Sequence, residues 1–400
     1  MLPLLPFALA FVGSFGAPPV TEEHAAYDDS APFAALPLVR WAVRLPGVVP
    51  DVAAPTEPGA PVVHGDRIYV GYSGANALLV LSRDDGRLVE SLELRAPVAS
   101  AAIVHEGWLL VADSAGYTSR WSRRENAWVR DWEHYSGAPI LSTPLVNEEG
   151  GTVYVTNVDE LVFALDLATG TLKWRYEHRL DAARSAALEL FGAPAATRAN
   201  GLIYTGFSDG FLSAIDEAAG TEVWTAPVGE GAYPDLIAPA IPLSEGTVLV
   251  SGYSKPLQRY DPALRTATWR MEAGSASAPR LEGEFVYHPG SDGKLRKLDA
   301  RTGNVLWTWD SATTGPLQTP ELTEQGVLVA STDSTVFLVD DQTGRERWQL
   351  DPGIRLTGFG AAPAVAGNEI FALSNGGVLY ALRGRAAAAV PAPDPWARSR

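Results

Sequence analysis

Cysteine is absent from the 400 residues. That excludes disulfides, Cys-ligated zinc, iron–sulfur clusters and thiol chemistry, and leaves a thioether-linked lipid anchor no point of attachment. Clustered basic residues are missing too. Lys and Arg number 31 against 47 Asp and Glu, a formal charge of −16, so a nucleic-acid partner, which needs basic patches, is not expected. Beyond the N-terminus no apolar run is long enough to span a bilayer. There is no Gly-x-Ser-x-Gly elbow and no phosphate-binding loop. The histidines (His24, His64, His105, His134, His178 and His288) lack the paired spacing of metal ligands and read as surface or strand residues. What the chain does have is 38 Gly, 30 Pro and 12 Trp in a sequence that is 46% hydrophobic, ample for a folded core.

The ends differ from the middle. Residues 1–17 are apolar and uncharged, with the small residues Ser14 and Gly16 suited to cleavage, and read as a secretory signal peptide. Residues 18–37 are expected to be a flexible leader and the Ala/Pro-rich residues 384–400 a disordered tail. A periplasmic or secreted protein without a lipid anchor is the expectation.

Between the ends one unit recurs. It is clearest as Asp166-Leu-Ala-Thr-Gly170 followed by Trp174, and returns as Asp216…Gly220…Trp224, Asp299…Gly303…Trp307 and Asp340…Gly344…Trp348. Asp261…Arg265…Trp269 keeps the ends and loses the Gly. Ser82…Gly86…Glu90 keeps only the Gly, and Ser122…Asn126…Arg130 is a faint copy with Trp132 two residues late. A second mark lies 20 to 25 residues upstream of each copy: Pro61, Pro97, Pro144, Pro194, Pro239, Pro279, Pro320 and Pro363 each open a short apolar run. Successive prolines are 36 to 50 residues apart, the period of a four-stranded propeller blade.

Within a unit, β-branched and aromatic runs such as 152–156 and 202–206 alternate with tight turns such as Ser208-Asp-Gly210, Ser291-Asp-Gly293 and Asn375-Gly-Gly377. The last unit stops at Arg383 without a Trp strand, while Leu38-Val-Arg-Trp41-Ala-Val43 stands alone at the front. Joining the two predicts an all-β fold: an eight-bladed β-propeller of four-stranded antiparallel blades over residues 38–383, closed by the N-terminal strand. The recurrent Asp is expected to accept turn N–H bonds and the Gly to supply the left-handed residue of a bulged hairpin. Trp41, Trp174, Trp224, Trp269, Trp307 and Trp348 are expected to fill the wedges between blades, each indole N–H on a backbone carbonyl.

The string Ala164-Leu-Asp166…Thr169-Gly170…Trp174 resembles the tryptophan-docking repeat of PQQ-like propellers, and the resemblance runs from about residue 38 to 383. It implies one of two branches. Quinoprotein dehydrogenases need a quinone site with Ca²⁺ held by clustered oxygens. The acidic residues here are spread through repeat turns, and the vicinal cysteine pair many of those enzymes carry cannot exist. The other branch, BamB-type propellers of outer-membrane β-barrel assembly, is non-catalytic. The stretches 188–194 and 206–211 are similar to that family's segment at this blade. The resemblance implies partner contacts on two adjacent loops, 175–193, whose residues 182–190 have helical character, and 225–238. On these loops Leu188, Leu190 and Phe191 read either as an exposed apolar patch or as a cap on the blade edge, and with Glu189, Tyr233, Asp235 and Leu236 they are the candidate contact residues. The family tends to carry an Arg in the first loop and Asp-x-Asp in the second, where this chain has Glu189 and a single Asp235.

The expectation is therefore a monomeric, non-catalytic protein-binding scaffold of the cell envelope, without cofactor or metal, its partner a protein of outer-membrane assembly. The alternative is a quinone-dependent dehydrogenase-like or small-ligand-binding propeller.

Overall fold

The computed structural model describes residues 36–48, 59–179, 194–231, 233–254, 256–313, 315–333, 335–351 and 358–384. The expected signal peptide, most of the leader and the tail from 385 lie outside the described residues. So do the loop residues Leu188, Glu189, Leu190 and Phe191.

Every regular element among the described residues is a strand, and the strands form eight four-stranded antiparallel sheets. Blade 1 covers residues 62–93, blade 2 103–135, blade 3 145–177, blade 4 197–227, blade 5 241–271, blade 6 280–310 and blade 7 321–350. Chain order is spatial order within each, from inner to outer strand. Blade 8 takes three strands from residues 364–383 and its outer strand from Leu38–Arg44, antiparallel with Trp41 opposite Ala381. The inner strand of blade 1 lies against those of blades 2 and 8, so the ring is closed.

Apolar residues pack between the blades. Eight buried clusters serve eight interfaces, one each. The period-2 alternation of strands produces this directly: on the second strand of blade 6, Val286 joins the cluster shared with blade 5, and the next residue, Tyr287, joins the one shared with blade 7. A register shift sits at the same place in every blade, between the third and outer strands at the tryptophan position. Such a bulge kinks the outer strand and turns the indole toward the next blade.

There the indole meets the next blade's turn. Trp174 Nε1 donates to the Glu217 carbonyl at 3.0 Å, Trp269 to Ala300 at 3.0 Å, Trp307 to Asp341 at 2.8 Å and Trp41 to Arg83 at 3.3 Å. Trp132, misplaced by its sequence spacing, does the same to Leu167 at 3.1 Å. The shift arises because the two outer strands of blade 2, Tyr117–Arg124 and Ala127–Tyr135, are longer than their counterparts. Trp224 leans on Tyr260 instead, with ring centroids 6.0 Å apart, and Trp348 is buried in the cluster of blades 7 and 8.

The turn Gly has two duties. At Gly344 φ is +65°, and a Cβ there would stand 2.7 Å from the Trp307 ring. Only glycine meets both demands. The turn Asp works as expected: Asp299 Oδ1 accepts the Arg301 and Thr302 N–H groups at 3.0 and 2.7 Å, and Asp166, Asp216 and Asp340 repeat the pattern.

Blade 1 carries Glu90 where the others carry Trp. The wedge is filled from the opposite side by Trp121 and Trp128 of blade 2, while Glu90 accepts the Trp128 N–H and an Arg123 N–H, both at 2.9 Å.

Candidate functional site

The antiparallel path places two kinds of connection on each face of the ring. One face has the turns between second and third strands together with the links from blade to blade. The other has the turns carrying Asp-x-x-x-Gly. On the first face, over blades 3 and 4, the chain departs most from its own repeat.

The turn joining the second and third strands has four residues in blades 2, 3, 4, 6 and 8, and in all of these but blade 3 it ends on a glycine, Gly116, Gly210, Gly293 or Gly377, with positive φ. Blade 3 has Glu160 there, at φ +61°. A non-glycine residue in that region is strained, and here it is also a carboxylate only 8% exposed. Its Oε1 accepts the Ser208 N–H from the blade 4 turn at 3.2 Å, and its carbonyl accepts the His178 N–H at 3.2 Å. His178 follows the outer strand of blade 3. Its ring stacks on Phe207 with centroids 4.0 Å apart at 10°, and Nε2 lies 2.9 Å from Asp209 Oδ2. Asp209 is fully buried. Burial pushes the Glu160 carboxyl up to about 7; the charge of Asp209 adds to this, while the bonds from Ser208 and the neighbouring His178 oppose it. A cavity of about 10 Å³, lined by Thr156, Asn157, Glu160, Pro194, Thr205 and Phe207, adjoins the cluster and has room for about one water.

The loops themselves are shorter than their sequence suggests, because Arg175–Glu177 and Thr225–Pro227 belong to outer strands. In the second loop Tyr233 is half-buried and meets Tyr253 edge-on at 6.3 Å. Asp235 and Leu236 are corrected as contact residues. Both are 1% exposed and occupy a repeat position. The Asp235 carbonyl accepts the Tyr253 N–H, as Pro97 and Pro139 accept from Ser114 and Val158 one blade on. Leu236, like Val98, Ile140 and Leu317, is a buried plug at the mouth of an interface. The Asp235 carbonyl and the Leu236 side chain hold the loop down.

On the opposite face a groove of about 450 Å³ opens between blades 6 and 7, beside Glu282, Tyr287, Glu324, Asp340, Asp341 and Arg347. Two of its carboxylates are already committed. Asp340 pairs with Arg347, which with Thr343 holds it down at about 2, and Asp341 accepts from Lys297 Nζ at 2.8 Å and from the Tyr287 hydroxyl. Among the described residues no group of three or more His, Asp or Glu is arranged to hold a metal ion.

A family model described as "Outer membrane protein assembly factor BamB" matches residues 39–206, 130–235 and 208–389. The chain belongs to that family. Among curated relatives, the outer membrane protein assembly factor BamB of Burkholderia pseudomallei (strain K96243) is 25% identical over 268 residues, 64% of this chain and 66% of that protein. The protein of that name from Yersinia pestis is 24% identical over 258 residues, 62% of this chain and 63% of its own length. The chain thus spans less than two thirds of each. The serine/threonine-protein kinase AfsK of Streptomyces coelicolor is 28% identical over 277 residues, which is 32% of that kinase, so the repeat is shared beyond assembly factors. The solved structure of BamB from Moraxella catarrhalis superimposes with a TM-score of 0.69 at 17% identity, covering 87% of this chain and all of that one, and shares the fold. No helix among the described residues is long and apolar enough to cross a membrane.

Proposed function

We propose that this propeller is a non-catalytic scaffold of the cell envelope, exported by residues 1–17, that docks a protein of the outer-membrane assembly machinery. Family membership across nearly the whole ring carries the reading. The docking surface is the face where the blade-to-blade links emerge over blades 3 and 4, with Tyr233 and the segment Leu188–Phe191 as contacts and Asp235 and Leu236 as their support. The action is association without bond chemistry. The Tyr233 loop is tied down by the Asp235 carbonyl and the buried Leu236, so little ordering entropy is lost there when a partner settles on it.

Affinity purification of the tagged chain from envelope extract, with the recovered subunits identified by mass spectrometry, tests this. Subunits of the assembly machinery should copurify, and recovery should fall at least about tenfold with Leu188→Ala/Tyr233→Ala, in keeping with loss of two apolar anchors. Equal recovery by the variant removes these loops from the surface. Absence of any assembly subunit from the wild-type sample, or a bound quinone chromophore with dye-reducing activity after addition of pyrroloquinoline quinone and Ca²⁺, overturns the scaffold reading.

A further inference from the structure

Two departures from the repeat, Glu160 and His178, meet one fully buried repeat carboxylate, Asp209. Glu160 stands where four other blades have glycine, His178 where the corresponding positions are Leu45, Ser136, Val228 and Ser311, and Asp209 lies fully buried beneath them. Each belongs to a different segment: the second-to-third-strand turn of blade 3, the end of its outer strand, and the turn of blade 4. We propose that Glu160, His178 and Asp209 form a proton-responsive joint between blades 3 and 4, closed when Glu160 is neutral and loosened when it ionises.

The charges that face Glu160 define the two states. From the blade 4 turn comes the carboxylate of Asp209, and from the end of the blade 3 outer strand comes the imidazole of His178. Within its own turn Asp159 is solvent-exposed, and Glu177 and Arg179 flanking His178 are exposed as well. Thr156, Thr205 and Pro194 across the small cavity are neutral. A neutral Glu160 carboxyl still accepts the Ser208 N–H and adds no charge to the buried site. Once ionised, it places a second carboxylate beside Asp209 with a single imidazole between two blades, where water is largely excluded and like charges repel strongly. Opening restores solvent to the carboxylate.

The sign follows from linkage. In the closed joint the carboxyl titrates at about 7, and once solvated it returns toward its ordinary value of 4.5. Between these limits the closed form holds the proton that the open form releases, so closure weakens as pH rises and the effect levels off above about 7. The joint is a property of this chain alone, so its test does not depend on the docking reading.

The test is hydrogen exchange of the Ser208 amide in the full chain from pH 5 to 8, corrected for the intrinsic pH dependence of exchange. The opening constant of the wild type should rise by up to about tenfold per pH unit from pH 5 to 7 and then plateau. Glu160→Gln, which keeps the acceptor and cannot ionise, should give a flat profile at the protected, low-pH level. Glu160→Gly restores the residue of the other blades and serves if the Gln variant does not fold. It should also give a flat profile, with lower protection throughout because the bond to Ser208 is gone. A wild-type opening constant independent of pH between 5 and 7 overturns the proposal, as does an unchanged slope in either variant.

Discussion

Single side chains in this ring act through the seams between blades, and their substitution effects can be argued from what each touches. Trp307 is partly buried, packs on Gly344 and donates to the Asp341 carbonyl, so Trp307→Ala is expected to lower the thermal midpoint at a cost of about 2–3 kcal/mol, below the roughly 3–5 kcal/mol of fully buried Trp truncations. His288 presents the opposite case. It is completely buried, neither ring nitrogen makes a well-formed hydrogen bond among the described residues, where the Gly274 and Ala273 backbone approaches the ring, and burial first of all, with Arg296 nearby, pushes it down to about 4. The corresponding strand positions hold Val155, Val250 and Val329. A buried imidazole without well-formed bonds is worse than a methyl-bearing side chain, so His288→Val is expected to raise the melting temperature. The pH dependence has a definite sign. Between its ordinary value of 6.5 and about 4 the unfolded chain binds a proton that the native chain does not, so wild type loses stability as pH falls through that window. The advantage of the Val variant should therefore be larger at pH 5 than at pH 7, and a gap that does not change with pH would assign the effect to packing alone.

At the scale of the strand and turn, the repeat was legible because two independent marks kept one phase. The Pro-opened runs and the Asp-x-x-x-Gly turns, complete in blades 3, 4, 6 and 7, set the phase that placed all eight blades, the bulged hairpins and the N-terminal strand of blade 8. Pro97, however, is the equivalent of Pro139, and blade 2 opens its inner strand after Ala102 instead. What escaped was chemistry that replaces a repeat residue. Trp132 was displaced because blade 2 lengthens its outer hairpin, which breaks the spacing while keeping the indole in its wedge. Glu160 looked like an ordinary turn acid, and only the alignment of its turn with those ending on Gly116, Gly210, Gly293 and Gly377 exposes the strain it carries. Asp235 and Leu236 read as loop residues although they are repeat positions, because the Pro or Gly that marks that position in other blades is missing here. Where a repeat residue is replaced, the structure adds compensating bonds, and those bonds can be tested. Removing the Glu90 carboxylate strips partners from the Trp128 amide and from Arg123, so Glu90→Ala is expected to destabilise by about 1–3 kcal/mol, measured by denaturant unfolding. Glu90→Trp, which restores the repeat residue, should fare no better, since Trp121 and Trp128 already occupy that wedge.

Across the whole molecule, stability is distributed over eight equivalent seams, and the seam that closes the circle has an extra clasp. Glu369, its side chain 6% exposed, takes Arg40 at 2.7 Å, Arg83 at 2.8 Å and Arg383 at 3.6 Å, which joins the N-terminal strand, blade 1 and blade 8. Arg83 also donates to the Ala366 carbonyl at 2.8 Å. Removing the carboxylate takes a shared acceptor from three partly buried guanidinium groups, although Arg40 keeps Asp84 and Arg83 keeps the Ala366 carbonyl, so Glu369→Ala is expected to cost about 1–3 kcal/mol in an equilibrium unfolding experiment. Deleting residues 36–44 would go further and leave the third strand of blade 8 as an unpaired edge. That chain should elute as soluble aggregates in size-exclusion chromatography, where the full chain elutes as a single species.

Closure by the front strand also fixes an order of events during synthesis. Arg40 and Glu369 are 329 positions apart, so residues 38–44 must stay unmated until residues 364–383 have left the ribosome. Growing a loop of that size adds little entropy beyond a shorter one, but it delays the meeting of its ends. For that interval seven blades can assemble as a horseshoe with two open flanks, and any helper that shields nascent chains has its task defined by those flanks.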